Sequence, residues 1–337
     1  MGFLCGECQE SVRRVARKMT ISPYNSAKIR WISFAAIVCV VLGHCLSDNP
    51  FVIGIFAQWH VPWFYLLSGF MLGGSLNRHG AKACLVKRTR TLLFPYILWC
   101  GIGFLVAKGV HGEIASLDDW LGLSSAFPTG NPHLWYLHCL IVFSFALTFL
   151  WLLLSRISDM SRAIIVICVY VLAFGAAICG NIGTLIGTPT SPVYFIMGFA
   201  FSQVCAANQS CRLPTTKWIS VAAVLFAVLL RALWFVVDWS GSMEQALRFA
   251  CVLSQIVAIW FAVDWFLKPR FTEKSKIPWL ITPVFFVYCF HGFVLKPLSA
   301  FTGGGWLFVT TLVISFCVAW SLNRFLSLLY SLLTGRR

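Results

Sequence analysis

The stretch R-W-I-S-F-A-A-I-V-C-V-V-L-G-H, from Arg30 to His44, decides the fold. It opens on a cation and closes on an imidazole, and no charged residue lies between them. A helix needs about 20 mostly apolar residues to cross a bilayer. With the residues that follow it, this stretch forms the first of ten such runs, near 30–48, 60–77, 91–108, 134–155, 162–180, 191–207, 217–238, 245–267, 278–300 and 306–329. The sixth is short and holds Gly198, which predicts a broken or tilted helix. The expected fold is therefore all-α: a polytopic helical membrane protein with about ten transmembrane helices and both termini cytoplasmic.

Composition points the same way. The 337 residues are 59% hydrophobic, 16% aromatic and only 11% charged, and the mean hydropathy is +0.82. An average soluble domain is about 45–50% apolar and about 25% charged. Soluble globular, disordered and nucleic-acid-binding classes are thereby disfavoured. The net charge is +15, from 26 Lys and Arg against 11 Asp and Glu. Its placement gives it meaning. Arg13, Arg14, Arg17, Lys18, Lys28 and Arg30 precede the first run, and Arg78, Lys82, Lys87, Arg88 and Arg90 separate the second from the third. Later loops on the same side hold Arg156 and Arg162, then Arg212 and Lys217, then Lys268, Arg270, Lys274 and Lys276, and the chain closes on Arg336 and Arg337. The alternate loops hold Asp48, then Glu113, Asp118 and Asp119, then Asp238 and Glu244. Basic residues mark the cytoplasmic side of a membrane protein. Most of the surplus charge is an orientation signal and needs no polyanionic partner.

Three regions follow. Residues 1–27 form a polar, basic cytoplasmic segment, with Met19 as an alternative start; 28–329 form the membrane domain; 330–337 form a short basic cytoplasmic tail. Most of the fourteen cysteines sit in apolar runs, where Cys acts as a small hydrophobe. Cys5 and Cys8 make one C-x-x-C without a second ligand pair, and no His/Asp/Glu ligand spacing appears, so no metal is expected.

Ionisable groups inside hydrocarbon are costly and mark functional candidates. His44 leads, followed by His60, His138 and His291. Imidazole titrates near neutrality and suits general-base work on a hydroxyl, although a membrane histidine also serves as a hydrogen bond between helices. Arg231 lies deep in the seventh run and needs an anion or a wet cavity, with Asp238 and Asp264 as possible partners. Arg248 and Lys296 can snorkel to the external interface. The longest outer loop, about 109–133, either helps bind an external substrate or is a plain connector.

Five elements in order resemble the acyltransferase 3 family of membrane proteins: Arg30–His44, F-Y-L-L-S-G-F at 64–70, R-T-L-L-F-P-Y-I-L-W at 90–99, L-W-Y-L-H-C-L at 134–140 and F-F-V-Y-C-F-H-G-F at 285–293. The resemblance covers about residues 28 to 329. It implies an integral-membrane O-acyltransferase of the plasma membrane that moves an acyl group, expected to be acetyl, from cytoplasmic acyl-CoA to a hydroxyl of a cell-surface or lipid-linked carbohydrate. Acyl-CoA is then the donor substrate and no bound cofactor is expected. His44 stands at the family's catalytic position, as general base or as acyl carrier. Eleven residues earlier a widespread family pattern has Arg, and this chain has Ser33; Arg30, fourteen residues before His44, is the nearest cation on that face. The CoA phosphates would fall to Arg30, Lys87, Arg88 and Arg90, and His60, Ser68, His291 and Arg231 would bind or orient substrate. Where many relatives have Arg-Asp, this chain has His138 and Cys139. Two other readings stay open: a transporter or flippase for a lipid-linked or acyl substrate, and an inactive family member.

Overall fold

A computed structural model describes residues 23–56, 58–111, 116, 120–121, 131–179, 191–207, 217–236, 241–266 and 283–335. Those residues are helical throughout apart from short turns, and no strand occurs among them. In order they form α1 (Pro23–Cys45), α2 (Pro50–Ile55), α3 (His60–Arg88), a π-helical turn (Thr89–Leu93), α4 (Phe94–His111), a 3-10 turn (Pro132–Leu134), α5 (Trp135–Leu153), α6 (Asp159–Cys179), α7 (Ser191–Ala207), α8 (Lys217–Val236), α9 (Gly241–Phe266), α10 (Val284–Leu298), α11 (Gly304–Phe325) and α12 (Ser327–Thr334). Six helical stretches are long and apolar enough to cross a membrane, one of them the long stretch Pro50–Lys108 that takes in several helices, and three shorter apolar helices accompany them. Helices suit this chain because a bilayer leaves backbone N–H and C=O groups no water, and a helix satisfies them internally.

Local chemistry sets several breaks. Asn49 caps α2: its Oδ1 accepts from the Phe51 and Val52 amides at 3.0 and 3.1 Å, with Pro50 at the first helical position. Gly80 has φ +77° and divides α3, a conformation that side chains other than glycine resist. Just before Pro95, whose ring cannot donate to the helix, a π-helical turn at Thr89–Leu93 interrupts the regular winding. The guanidinium of Arg162 closes the end of α5, donating to the carbonyls of Leu154 and Ile157 at 2.8 and 2.7 Å.

The bundle turns on α3 against α7, its most extensive helix pairing. A Cβ on Gly69 would stand 1.9 Å from the Phe195 carbonyl oxygen, and one on Gly198 would stand 1.9 Å from that of Leu66. The two backbones touch, as small residues permit in membrane helices. Asn77 Nδ2 donates to Gln203 Oε1 across the same seam at 3.0 Å. The expected break at Gly198 does not occur: α7 is continuous, and the glycine serves the close approach.

One further expectation changes. Asp264 does not partner Arg231. It accepts from Lys28 Nζ at 2.8 Å, and the ammonium also lies 4.3 Å from the Trp260 ring centroid. Lys28 near the start of α1 thus meets the end of α9, so the two helices run antiparallel. The described part of the expected tail, 330–335, packs against the bundle. Tyr330, Leu333 and Thr334 are buried on α12, and Trp99 Nε1 donates to the Leu333 carbonyl at 3.0 Å. Arg336, Arg337, Cys5, Cys8 and Met19 lie outside the described residues.

Two outcomes follow from this packing. Gly198→Ala forces backbones apart and is expected to destabilise by about 1–3 kcal/mol, the usual range for overpacking, read as a lower midpoint of thermal unfolding in detergent. Lys28→Met strands a buried carboxylate and is expected to cost about 3–5 kcal/mol, whereas Lys28→Met with Asp264→Leu recovers most of it. A double variant as unstable as the single one would contradict the pairing.

Candidate active site

The last turn of α1 carries His44 into a cavity of about 520 Å³. His60, at the first position of α3, lines the same cavity, as do His133, Tyr136, Tyr288, Gln58 and Arg248. His291 is fully buried on α10 beside them. The imidazole centroids of His44 and His133 are 4.4 Å apart, those of His44 and His291 5.4 Å, and those of His133 and His291 4.9 Å. Three histidines from positions 44, 133 and 291 therefore meet in one cluster.

Backbone contacts build it. Asn131 Nδ2 donates to the Cys289 carbonyl at 2.9 Å, and the Tyr288 hydroxyl donates to the His133 carbonyl. These bonds tie the 3-10 turn to α10. Gly292 is required there, because a Cβ would stand 2.3 Å from His133 Cδ2. His291 Nδ1 lies 2.7 Å from the Tyr288 carbonyl and 3.1 Å from that of Val287. Carbonyls only accept, so Nδ1 carries the proton and Nε2 carries the lone pair. Nε2 is buried and has no hydrogen-bond partner. A fixed tautomer with a free lone pair is what an imidazole needs to receive an N–H or to ligate an ion.

The reachable nitrogens of the three rings lie within 4.8 Å of one another. Three imidazoles form a sufficient ligand set for a zinc-type ion with one open position. They are equally a proton-handling cluster. Linear spacing shows no such ligand set, since the three residues come from separate segments. No carboxylate lines the cavity among the described residues. Where a Ser-His-Asp site sets a carboxylate beside its histidine, His44 has the imidazoles of His133 and His291 beside it, with Arg248 as the cation lining the same space.

The expected phosphate-binding residues separate. Lys87 and Arg90 line a cavity of about 930 Å³ together with Thr89, Thr91, Ser331 and Gly335. Arg88 turns the other way, with Nη2 3.4 Å from the Ser68 carbonyl and the side chain beside Tyr136. Residues three apart share a helix face, and the intervening residue is turned about 100° from its neighbour. Arg30 is exposed and lines neither cavity, and Ser33 accepts from Trp63 Nε1 at 3.3 Å. Ser68 neighbours Arg88 through its carbonyl and touches Tyr136, which lines the His44 cavity.

Arg231 is buried on α8 away from the cluster, donating to Gln58 and Gln255. His138 is buried too; the Tyr96 hydroxyl donates to the Leu121 carbonyl, and its oxygen receives His138 Nδ1–H at 3.1 Å. That is the bond between helices that a membrane histidine can supply. Lys296 is exposed, while Arg248 faces the cavity. Sequence reasoning missed His133. Its signal was the turn N-P-H at 131–133, just before the aromatic pair Trp135 and Tyr136.

No curated protein and no solved structure matches the chain. A family model described as an acyltransferase domain, that of acyltransferase 3, matches residues 27–324. That match takes in α1 with His44, the Lys87–Arg90 segment, the His133 turn and His291, and the chain belongs to the acyltransferase 3 family.

Proposed function

We propose that the protein is a ten-span O-acyltransferase of the plasma membrane, with both termini cytoplasmic, that moves an acetyl group from acyl-CoA to a hydroxyl of a cell-surface or lipid-linked carbohydrate. Family membership carries the general class, an acyltransferase with membrane helices. The observation that favours this scheme is the placement of two cavities along α3. His60 at its start lines the histidine cavity, and Lys87 at its end lines the basic one. Past Gly80 the chain folds back, so that Cys84 Sγ reaches Ser75 Oγ at 3.3 Å and Arg88 reaches the Ser68 carbonyl, and the basic segment lies alongside the part of α3 that leads to His60.

Lys87 and Arg90 hold the CoA phosphates at the basic end, where ammonium and guanidinium groups suit phosphate oxygens. The thioester arm runs inward past Arg88 and Ser68 towards Tyr136. At the far end His44 takes the proton from the acceptor hydroxyl as that oxygen attacks the thioester carbonyl. The C–O bond forms and negative charge gathers on the carbonyl oxygen, facing Arg248 and His60. Collapse breaks the C–S bond, and the CoA thiolate takes up the proton held by His44. His291, its Nδ1–H held by backbone carbonyls, presents Nε2 to orient the imidazole. In the other route His44 is acylated first and the acceptor takes the group in a second step, with ping-pong kinetics.

Three measurements test this. With labelled acetyl-CoA and purified glycans, His44→Ala is expected to lower transfer by about 10²–10⁴-fold, the range for a lost general base. Unchanged transfer in that variant, or movement of substrate without acylation, defeats the assignment. Lys87→Ala with Arg90→Ala is expected to raise the KM for acetyl-CoA and leave kcat near the wild-type value. Dialysis against EDTA is expected to leave transfer intact, because the imidazoles act here on protons; loss of activity restored by zinc would place an ion in the cluster instead.

A further inference from the structure

A second cavity, of about 710 Å³, lies between α1, α2, α8 and α9. Its walls are apolar, among them Phe56, Trp59, Val228 and Phe235. Phe56, Val228 and Phe235 are 40%, 61% and 50% exposed, so the groove opens sideways, towards lipid if the bundle sits in a membrane. One charged group lines it. Arg231 is only 6% exposed. Nη1 donates to Gln58 Oε1 and Nη2 to Gln255 Oε1, each at 2.9 Å. Nε is buried with no hydrogen-bond partner.

Amide oxygens orient a guanidinium and leave its charge in place. Among the described residues no carboxylate pairs with it. Asp238, the other carboxylate expected near it, lies outside the described residues. Arginine stays protonated, and a buried cation gains from an anion beside it. The group that satisfies such a site is an anion that also brings hydrocarbon to cover the groove. Phosphate fits a guanidinium best, through paired N–H···O bonds. Arg231 lies fourteen residues past Lys217, about 21 Å along a helix of about 30 Å, so it takes a phosphate about 9 Å inside that end of the helix. Gln58 joins the two sites: its side chain holds Arg231 and also lines the His44 cavity.

We infer that this groove holds a phosphate-bearing membrane lipid, with its phosphate on Arg231 and its chain along Phe56, Val228 and Phe235, and that this lipid anchors the acceptor sugar, which passes Gln58 to reach His44. The acceptor role rests on the acyltransferase reading above; the lipid site does not.

The test uses the full chain in detergent with farnesyl phosphate, farnesol and inorganic phosphate as probes, read by binding titration and by native mass spectrometry. Wild type is expected to bind farnesyl phosphate at least tenfold tighter than farnesol and to retain no inorganic phosphate. Arg231→Gln is expected to erase that tenfold difference. Val228→Trp, which narrows the groove and leaves Arg231 in place, is expected to weaken both farnesyl probes. Equal binding of farnesol and farnesyl phosphate by wild type overturns the proposal, and so does a phosphate preference that survives in Arg231→Gln. His44→Ala separates the two readings: it is expected to bind farnesyl phosphate as wild type does while transfer is lost. Normal lipid binding in a wild-type protein that acylates no acceptor would remove the acceptor role and keep the lipid site.

Discussion

The contact between the backbones of α3 and α7 is the interaction on which the rest depends. Gly69 and Gly198 let the two helices touch at carbonyl distance. In lipid the hydrophobic effect gives little drive to bring apolar helices together, so close van der Waals packing has to supply it. Both cavities of interest lie on α3. His60 heads the helix and Lys87 ends it. Any tilt of α3 would move His60 relative to His44 and Lys87 relative to Ser331.

The polar interior follows a second rule, that each buried group finds its partner inside the protein. Lys28 meets Asp264, His138 meets Tyr96, and Asn131 meets the Cys289 carbonyl. Several buried hydroxyls lack a hydrogen-bond partner, and among the imidazole and guanidinium nitrogens of the described residues two do. His291 keeps a buried lone pair at Nε2, and Arg231 keeps a buried N–H at Nε. Each faces a cavity or a cluster in place of a helix neighbour. Leaving such groups unmet is costly in a low-dielectric interior, so these are the places where a proton, a substrate or a lipid has most to contribute.

Much was legible in the linear order of residues. The long apolar runs and the one-sided lysines and arginines announce a helical membrane protein, and His44 stands out because an imidazole inside hydrocarbon needs a reason. The signal for the site was weaker. His133 lies next to a proline in a loop-like stretch, where a histidine is unremarkable. Its partnership with His44 and His291 depends on hydrogen bonds from Asn131 and Tyr288 that join segments more than 150 positions apart. The charged partners were also misread. Asp264 is near enough in sequence to suit Arg231, but helix direction carries it to Lys28.

The sequence by itself determined the fold class and the family and singled out His44 as the leading candidate, because hydropathy, charge asymmetry and short motifs are properties of the chain read in order. The tertiary structure alone decided which groups share a space. It gathered three histidines from three segments, parted Arg88 from Lys87 and Arg90, withdrew Arg30 from both cavities, and set Arg231 in an apolar groove between two glutamines. The reason is geometric. A helix turns about 100° per residue, so neighbours in sequence face different ways, and only helix packing brings distant residues within bonding reach.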